Sequence, residues 1–154
     1  MIVEYRCRAS ANDIRRHLFE CDNDYLPRLS KRVDIDEYAE KLFASATRFE
    51  AWDDQQLVGL VAAYFPTMST SSVFVSNVSV LPELRGKGLG ERLLTACIRA
   101  ARGDGYESLT LEVDASNAPA IGLYTRLGFE PAGNTEAASG EILHLALRME
   151  RKQL

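Results

Sequence analysis

Three alternating glycines stand between a strand-like apolar segment and the strongest helical pattern of the chain. Residues 78–90 are Val-Ser-Val-Leu-Pro-Glu-Leu-Arg-Gly-Lys-Gly-Leu-Gly. After them, apolar residues recur every four positions at Leu89, Leu93, Cys97 and Ala101, which predicts an amphipathic helix. A strand, a glycine loop and a helix in this order predict either an anion site at the helix start or a close-packed turn.

The spacing of the glycines excludes two common phosphate loops. A Walker loop requires Ser or Thr after its lysine, but here Lys87 is followed by Gly88. The dinucleotide fingerprint requires a third glycine where this chain has Glu91 or Leu93, depending on the register. The remaining interpretation is that bare backbone amides bind one anion, helped by the charges of Arg85 and Lys87. We expect that anion to be a pyrophosphate, with the close-packed turn as the alternative.

Length and composition indicate a single domain over residues 1–154. The chain is 46% hydrophobic and 26% charged, which is ordinary for a globular protein. No apolar run is long enough to span a bilayer, and residues 1–6 do not resemble a secretory signal. We therefore expect no membrane partner and a cytoplasmic location. The net charge of −4 argues against nucleic acid as a partner.

The cysteines and histidines do not form a metal-ligand pattern. Cys7, Cys21 and Cys97 contain no CxxC pair, and we expect all three to be buried thiols. His17 and His144 each lack a partner in the sequence and are expected to be structural. The sequence therefore predicts no metal site.

The N-terminal third predicts one strand and two helices. The strand covers residues 2–8, and the first helix begins at Asn12-Asp13. Asp34 begins the second helix, since Asp36 and Glu37 place acidic residues in its first turn, where the helix dipole favours them.

The central segment predicts three strands. Residues 48–52 and 57–65 are two apolar runs joined by a short acidic turn, a pattern typical of a β-hairpin. In the strand that follows, the alternation of apolar residues changes phase between Val75 and Val78. This change predicts a β-bulge near Ser76-Asn77.

The C-terminal part predicts two further strands and a short helix. Residues 109–113 and 143–149 alternate as strands do, and Asn117 caps a helix that runs to Leu127. Residues 131–141 resemble a mobile linker.

The segment from Val78 to Phe129 resembles the acetyl-CoA-binding core of the GCN5-related N-acetyltransferase (GNAT) superfamily. Residues 85–90, Arg-Gly-Lys-Gly-Leu-Gly, match the motif Arg or Gln, x, x, Gly, x, Gly or Ala. Residues 111–129, Leu-Glu-Val-Asp-Ala-Ser-Asn-Ala-Pro-Ala-Ile-Gly-Leu-Tyr-Thr-Arg-Leu-Gly-Phe, resemble the second signature in its ribosomal-protein N-terminal acetyltransferase form. The resemblance covers about a third of the chain. It implies one mixed α/β domain with a mostly antiparallel central sheet and helices on both faces.

The resemblance implies acetyl-CoA as cosubstrate and acetyl transfer to a primary amine by direct attack. The backbone of residues 78–80 would pair with the pantetheine arm and donate an amide to the thioester oxygen, while residues 86–91 would hold the pyrophosphate. The implied cofactor-binding residues are Val78, Ser79, Val80, Arg85, Gly86, Lys87, Gly88, Leu89, Gly90, Glu91, Asn117 and Tyr124.

Two residues match catalytic positions of the family. Tyr124 corresponds to the general acid, although a phenol near pKa 10 needs local help to protonate a thiolate near 8.5. Glu112 is the candidate base, and desolvation in an acceptor cleft would raise its pKa. The structural alternatives are a core tyrosine and a solvated carboxylate. Asn117 can cap its helix and contact the cofactor at the same time.

The acceptor is left open by the sequence. A protein N-terminus is one candidate, and an amino sugar, an antibiotic or another small amine is the other. Different classes of function are a non-catalytic acyl-CoA-binding module and a nucleotide-binding domain. Tyr25, Tyr38 and Phe65 lie either at the acceptor side or in the core, and a homodimer is one allowed assembly.

Overall fold

The computed structural model describes residues 1–25, 28–67, 72–137 and 140–149, which form one seven-stranded sheet with helices on both faces. The strands are β1 (Ile2–Arg6), β2 (Thr47–Asp53), β3 (Gln56–Tyr64), β4 (Ser72–Val80), β5 (Ser108–Asp114), β6 (Glu130–Ala137) and β7 (Gly140–Arg148). The helices are α1 (Ala11–Cys21), α2 (Ile35–Ser45), α3 (Leu89–Gly103) and α4 (Ala118–Arg126). No helix in these ranges is long and apolar enough to cross a membrane.

The order of strands across the sheet is β1-β2-β3-β4-β5-β7-β6. Every neighbouring pair is antiparallel except β4 and β5, which are parallel. These two strands pair only from Ser72 opposite Ser108 to Phe74 opposite Thr110. The mostly antiparallel sheet is therefore confirmed, and its one parallel junction is short.

The predicted β-bulge is present in β4. Ala62 pairs with Asn77 while Ala63 pairs with Val75, so Ser76 is the extra residue. The extra residue resets the alternation of β4, so that the side chains that follow it point to the opposite faces from those an unbroken strand would give.

Each face of the sheet carries its own hydrophobic core. Helices α1 and α2 pack on the face that presents Leu60 and Ala62 of β3. Helices α3 and α4 pack on the face that presents Val58 and Val61. Val61 faces away from Leu60 by the usual alternation, and Val58 does so because the register of β2 and β3 shifts there, from Ala51 opposite Gly59 to Trp52 opposite Leu57. The prediction of helices on both faces is confirmed.

The helix starts match the sequence at α2 and differ from it at α1. Asp34 caps α2 by accepting a hydrogen bond from Glu37 N at 3.1 Å. Helix α1 begins earlier than predicted, because Ser10 and Asp13 form a reciprocal capping box that places Asn12 inside the first turn.

A buried ion pair ties the start of α1 to the sheet. Glu50 is fully buried and accepts hydrogen bonds from Arg8 N at 2.9 Å and Ala9 N at 3.0 Å. The same carboxylate accepts from Trp52 Nε1 at 3.0 Å and from Arg48 Nε at 3.1 Å. Both oxygens of the buried charge are therefore satisfied.

Two predictions were wrong, one for residues 131–141 and one for Cys7. Most of the expected linker 131–141 is strand β6 and the start of β7, two strands that pair with each other. Residues 130–135 are exposed at the sheet edge, so β6 does not show the apolar alternation by which strands are recognised. Cys7 is exposed after β1, with φ of 58°, whereas Cys21 and Cys97 are buried as expected.

Candidate active site

A cavity of about 590 Å³ opens where β4 and β5 stop pairing. Its walls come from the bulged end of β4, the end of β5, the glycine loop and α4, so the short parallel junction creates the space. The predicted site residues that line it are Val78, Ser79, Val80, Arg85, Gly86, Gly90, Glu112, Asn117 and Tyr124.

The other predicted cofactor residues lie in the same loop and helix start, outside the cavity wall. Leu89 is 5% exposed, and its side chain belongs to the core beneath α3. Glu91 faces Arg126, with 3.8 Å between Oε1 and Nε. Lys87 and Gly88 are exposed.

The structure explains glycine at two of the three loop positions by backbone conformation, and at the third it does not. Gly86 and Gly88 adopt φ values of +77° and +79°, in the left-handed region that favours glycine. Gly90 is helical, and a Cβ there would lie 3.7 Å from the Val80 side chain, an ordinary contact. Backbone conformation therefore requires the first two glycines but not the third, although Gly90 lines the cavity.

Helix α3 begins without a side-chain cap. Gly88 is its N-cap residue and has no side chain to accept from the amides of the first turn. Such amides, together with the positive end of the helix dipole, are groups to which anions bind in proteins. Arg85 adds a positive charge at the cavity wall, where its Nη2 donates to Val80 O at 3.5 Å.

Tyr124 is a buried phenol at the cavity wall. It is 7% exposed, and its ring meets Phe129 edge-on with centroids 5.8 Å apart. Burial raises the pKa of Tyr124 to about 12. The side chain is thus a core residue whose phenol stays protonated at neutral pH.

Glu112 lines the cavity but is not desolvated. Its side chain is 53% exposed, as in the solvated-carboxylate alternative that the sequence left open. His144 Nδ1 lies 3.6 Å from Glu112 Oε1, because β7 pairs directly with β5 at these two residues. The second ring nitrogen of His144 is 2.8 Å from Thr135 Oγ1. The sequence did not predict this neighbour of the candidate base.

Asn117 has the predicted capping role. Its side-chain oxygen accepts from Ala120 N at 3.3 Å, and the residue also lines the cavity. Nearby, the hydroxyl and amide of Ser116 donate to Asp114 and lower the pKa of that carboxyl. Asp114 therefore keeps its negative charge at the cavity wall.

The sequence missed a line of polar side chains on the α1/α2 side. His17 Nε2 lies 2.9 Å from Ser79 Oγ, and Asn77 is 2.8 Å from the same hydroxyl. Asn77 Nδ2 lies 2.9 Å from the hydroxyl of Tyr25, which lines the cavity. We call these four residues the polar row. The signal that could have revealed it is the pair of polar residues, 77 and 79, in an apolar strand.

The other two aromatic candidates lie away from the cavity wall. Tyr38 donates to the backbone oxygen of Ser76 at 3.1 Å and so supports the bulge. Phe65 packs in the core between Phe49 and Tyr106. In the described residues, no group of three or more His, Cys, Asp or Glu side chains is placed to hold a metal ion.

Comparison with known proteins agrees with this geometry. The acetyltransferase (GNAT) family profile matches residues 11–129. The [ribosomal protein bS18]-alanine N-acetyltransferase of Escherichia coli is 37% identical over 109 residues, which are 68% of this chain and 72% of that protein.

Two further relatives extend the comparison. The L-methionine sulfoximine/L-methionine sulfone acetyltransferase of Pseudomonas aeruginosa is 46% identical over 57 residues, 37% of this chain and only 33% of that protein. The structure of yncA from Salmonella typhimurium with its cofactor acetyl-CoA has a TM-score of 0.74 at 19% identity. It covers 99% of this chain and 96% of its own. The chain belongs to the acetyltransferase (GNAT) family.

Proposed function

We propose that the protein is an acetyl-CoA-dependent N-acetyltransferase that moves an acetyl group from the CoA thioester to a primary amine by direct attack. The observation that carries this proposal is the cavity between β4 and β5. An uncapped helix start lies at one part of its wall, and the buried phenol of Tyr124 lies at another. An anion site beside a proton donor fits an acyl donor that ends in a pyrophosphate.

The donor side of the cavity fits acetyl-CoA through its backbone. Among the residues that the structure describes, β4 has no partner on the β5 side beyond Phe74, so residues 78–80 keep backbone groups available for the pantetheine arm. The amides at the start of α3, with Arg85 and Gly86, would hold the pyrophosphate. When bound, acetyl-CoA supplies a thioester carbonyl for attack and a thiolate leaving group.

Tyr124 is proposed to protonate the departing sulfur. With a pKa of about 12 the phenol carries its hydrogen throughout the neutral range. That value widens the gap to a free thiol near 8.5, but burial raises the pKa of a thiolate in the same cavity as well. A hydrogen bond from Tyr124 would stabilise the sulfur as its charge develops.

Glu112 is proposed to take the proton from the amine, directly or through a water molecule. Its exposure allows the proton to pass on to solvent, and His144 lies within 3.6 Å as a neighbour that holds its orientation. This role stays a prediction, since a solvated carboxylate would have the same exposure.

A protein N-terminus is the first acceptor we propose. The Escherichia coli relative, matched over 68% of this chain, is named for the N-terminal alanine of a ribosomal protein. A small amine is the second, because the Pseudomonas aeruginosa relative is named for a free amino-acid analogue. A cytoplasmic location and a homodimer are part of the proposal, which includes neither nucleic acid nor a membrane as partner.

Two measurements test the proposal. Acetyl-CoA should raise the melting temperature, whereas ATP and NAD should not, because a ligand that binds only the folded state stabilises it. A panel of peptides, polyamines and amino sugars should then release free CoA thiol with at least one member. Stabilisation without any turnover would favour the non-catalytic acyl-CoA-binding module, and no stabilisation at saturating acetyl-CoA would reject the proposal.

A further inference from the structure

The seven-stranded sheet ends at β6 on one side and at β1 on the other, and the two edges differ. Strand β6 contains Pro131 and Gly133, and its pairing with β7 shifts register between them. Proline and a bulge are features that keep an edge strand from pairing with another chain. Strand β1 pairs with β2 in one continuous register and contains neither proline nor glycine. The β1 edge is therefore better suited to accept a further strand.

The backbone of β1 presents a defined set of groups along this edge. Cys7 N donates to Arg48 O of β2 at 3.0 Å, so the backbone groups at Cys7 point into the sheet. Successive residues of an antiparallel strand alternate in this respect, and the backbone groups of Glu4 and Arg6 therefore point outward. A strand that pairs with β1 must place its own outward-facing residues opposite these two.

The apolar side chains of β1 are exposed beside a groove. Val3 and Tyr5 are 41% and 44% exposed. Together with Arg8 and Trp52 they help to line a groove of about 390 Å³ on the α1/α2 face. The helices thus leave this margin of the sheet uncovered, and side chains of another strand have room there.

The charged side chains of β1 lie on the opposite face. Glu4 forms an ion pair with Arg92 of α3. The guanidinium of Arg6 lies over the Phe49 ring, 5.0 Å from its centroid, and forms no ion pair with a carboxylate of the described residues. One acid and one base therefore stand two positions apart on the same face of the edge strand, and the base can take a carboxylate from another chain.

This order of charges is complementary to itself when two copies of β1 run antiparallel. With a two-fold axis through Tyr5, Glu4 of each copy lies opposite Arg6 of the other. Both residues have outward backbone groups, so each of these two pairs can exchange two hydrogen bonds. Opposite charges directly across two strands stabilise their pairing. An axis at Glu4 or at Arg6 would instead place two like charges opposite each other.

We propose that the protein forms a symmetric homodimer in which the β1 edges of two copies pair antiparallel about Tyr5, so that the two sheets become continuous. The two Tyr5 side chains then face each other and cover part of the exposed apolar surface. Such an interface uses the same patch on both copies and is closed by one contact. Because β1 has only 5 residues, we expect a weak dimer with a micromolar Kd. The inference gives the homodimer of the proposed function its interface and does not depend on acetyl transfer.

The first test uses the charges of the edge. Sedimentation velocity should show the wild-type protein passing from monomer to dimer between roughly 1 and 500 µM. Arg6→Glu and Glu4→Arg each place like charges opposite each other, so either variant alone should have a Kd at least about tenfold higher. A mixture of the two variants has opposite charges at both pairs and should form a heterodimer with a Kd within about threefold of the wild-type value.

The control for the charge variants lies at the other edge of the sheet. Glu130→Arg changes an exposed residue of β6 by the same charge as Glu4→Arg and should leave the Kd within about twofold. A wild-type protein that stays monomeric at roughly 500 µM would overturn the proposal. So would a mixture that associates no better than its components, or a dimer that Glu130→Arg weakens and Arg6→Glu does not.

The second test determines the register. Tyr5→Cys should form an intermolecular disulfide, because residues opposite each other in a non-hydrogen-bonded pair have Cα atoms about 4.5 Å apart. Val3→Cys is the control, since the two copies of Val3 would be offset by about 13 Å along the strands. Both variants carry Cys7→Ser, because Cys7 is exposed. Preferential cross-linking through position 3 would contradict the proposed register.

The outcomes also separate this inference from the proposed chemistry. No residue of β1 is among those that line the cavity between β4 and β5, so Arg6→Glu should acetylate every amine that the wild-type protein acetylates. A monomeric wild-type protein that acetylates an amine would remove the dimer and leave the chemistry. A dimer with the predicted cross-link that acetylates no amine would support the interface and reject the chemistry.

Discussion

The two sides of the cavity are built in different ways. The proposed donor side comes from three short segments that lie close together in the chain, residues 78–80, 85–90 and 117–124. The acceptor side joins His17 and Tyr25 to residues 77 and 79 of β4, across separations of more than fifty positions. The difference teaches that short local segments can encode a binding site for a cosubstrate. The side of the cavity that would face the acceptor depends instead on tertiary packing.

The largest expected effect is on the donor side. Tyr124→Phe should lower kcat by roughly 10²- to 10⁴-fold, the usual contribution of a general acid, because the phenol hydrogen is lost while the ring stays. Calorimetric titration should give an acetyl-CoA Kd within about twofold of the wild-type value. Turnover that stays at the wild-type level would remove Tyr124 from the chemistry and leave it a core residue.

The next effect is on the stability of the acceptor side. Arg48→Met leaves Glu50 charged and without its cation in the interior, which should cost about 3–5 kcal/mol in the free energy of unfolding measured in urea. The matched control is Arg126→Met, which breaks an exposed ion pair with Glu91 on the donor side. That change should cost less than about 1 kcal/mol. Equal losses would show that the buried pair does not anchor α1.

The stability of the protein should depend on pH through His17, which is buried on the acceptor side. Burial lowers the pKa of His17 to about 4, so the unfolded chain binds a proton from about pH 6.5 downward while the folded chain does not. The contribution of neutral His17 to the free energy of unfolding is therefore fully present above pH 6.5 and is lost as the pH falls toward 4. The loss should reach about 2 kcal/mol at pH 5, above the usual range of the carboxyl groups.

The control for this titration is His17→Gln, which cannot take up the proton. Thermal unfolding of the variant should change much less between pH 7 and pH 5 than that of the wild-type protein. An equal change in both proteins would mean that another group causes the acid sensitivity.

The smallest effect distinguishes two glycines of the donor loop. Gly88→Ala puts a side chain at φ of +79°, with a strain of about 1–3 kcal/mol that misaligns the first amides of α3 and should weaken acetyl-CoA binding about tenfold. Gly90→Ala adds a Cβ only 3.7 Å from Val80, an ordinary contact, and should leave the Kd within about twofold. Titration calorimetry measures both, and equal losses would contradict the backbone argument.

Much of the fold could be predicted because its signals are local. Asp34 begins α2 and Asn117 begins α4 through caps that act within three residues. The phase change in β4 placed the bulge at Ser76, since alternation records which face each side chain occupies. Strand β6 was missed because it is held by backbone pairing to β7 at an exposed edge, where side chains carry no pattern.

The candidate site could be predicted only in part, because some of its contacts are local in the chain and others depend on tertiary structure. The glycine loop, Asn117 and Tyr124 line one cavity, as the motifs suggested. The neighbour of Glu112 was not predictable, because His144 reaches it only through the pairing of β5 with β7. The sequence named Tyr25 as a candidate for the acceptor side or the core but could not decide between them, since its contact to Asn77 depends on where the turn after α1 meets the bulged strand.

The missing side-chain cap of α3 affects how often the first turn of this helix opens. A helix whose first amides lack a partner frays from that end, and an anion that bonds those amides supplies the missing cap. Hydrogen exchange at residues 89–91 should therefore slow in proportion to the occupancy of the donor site. If acetyl-CoA binds as proposed, a higher occupancy of its site should keep the first turn of α3 closed for longer.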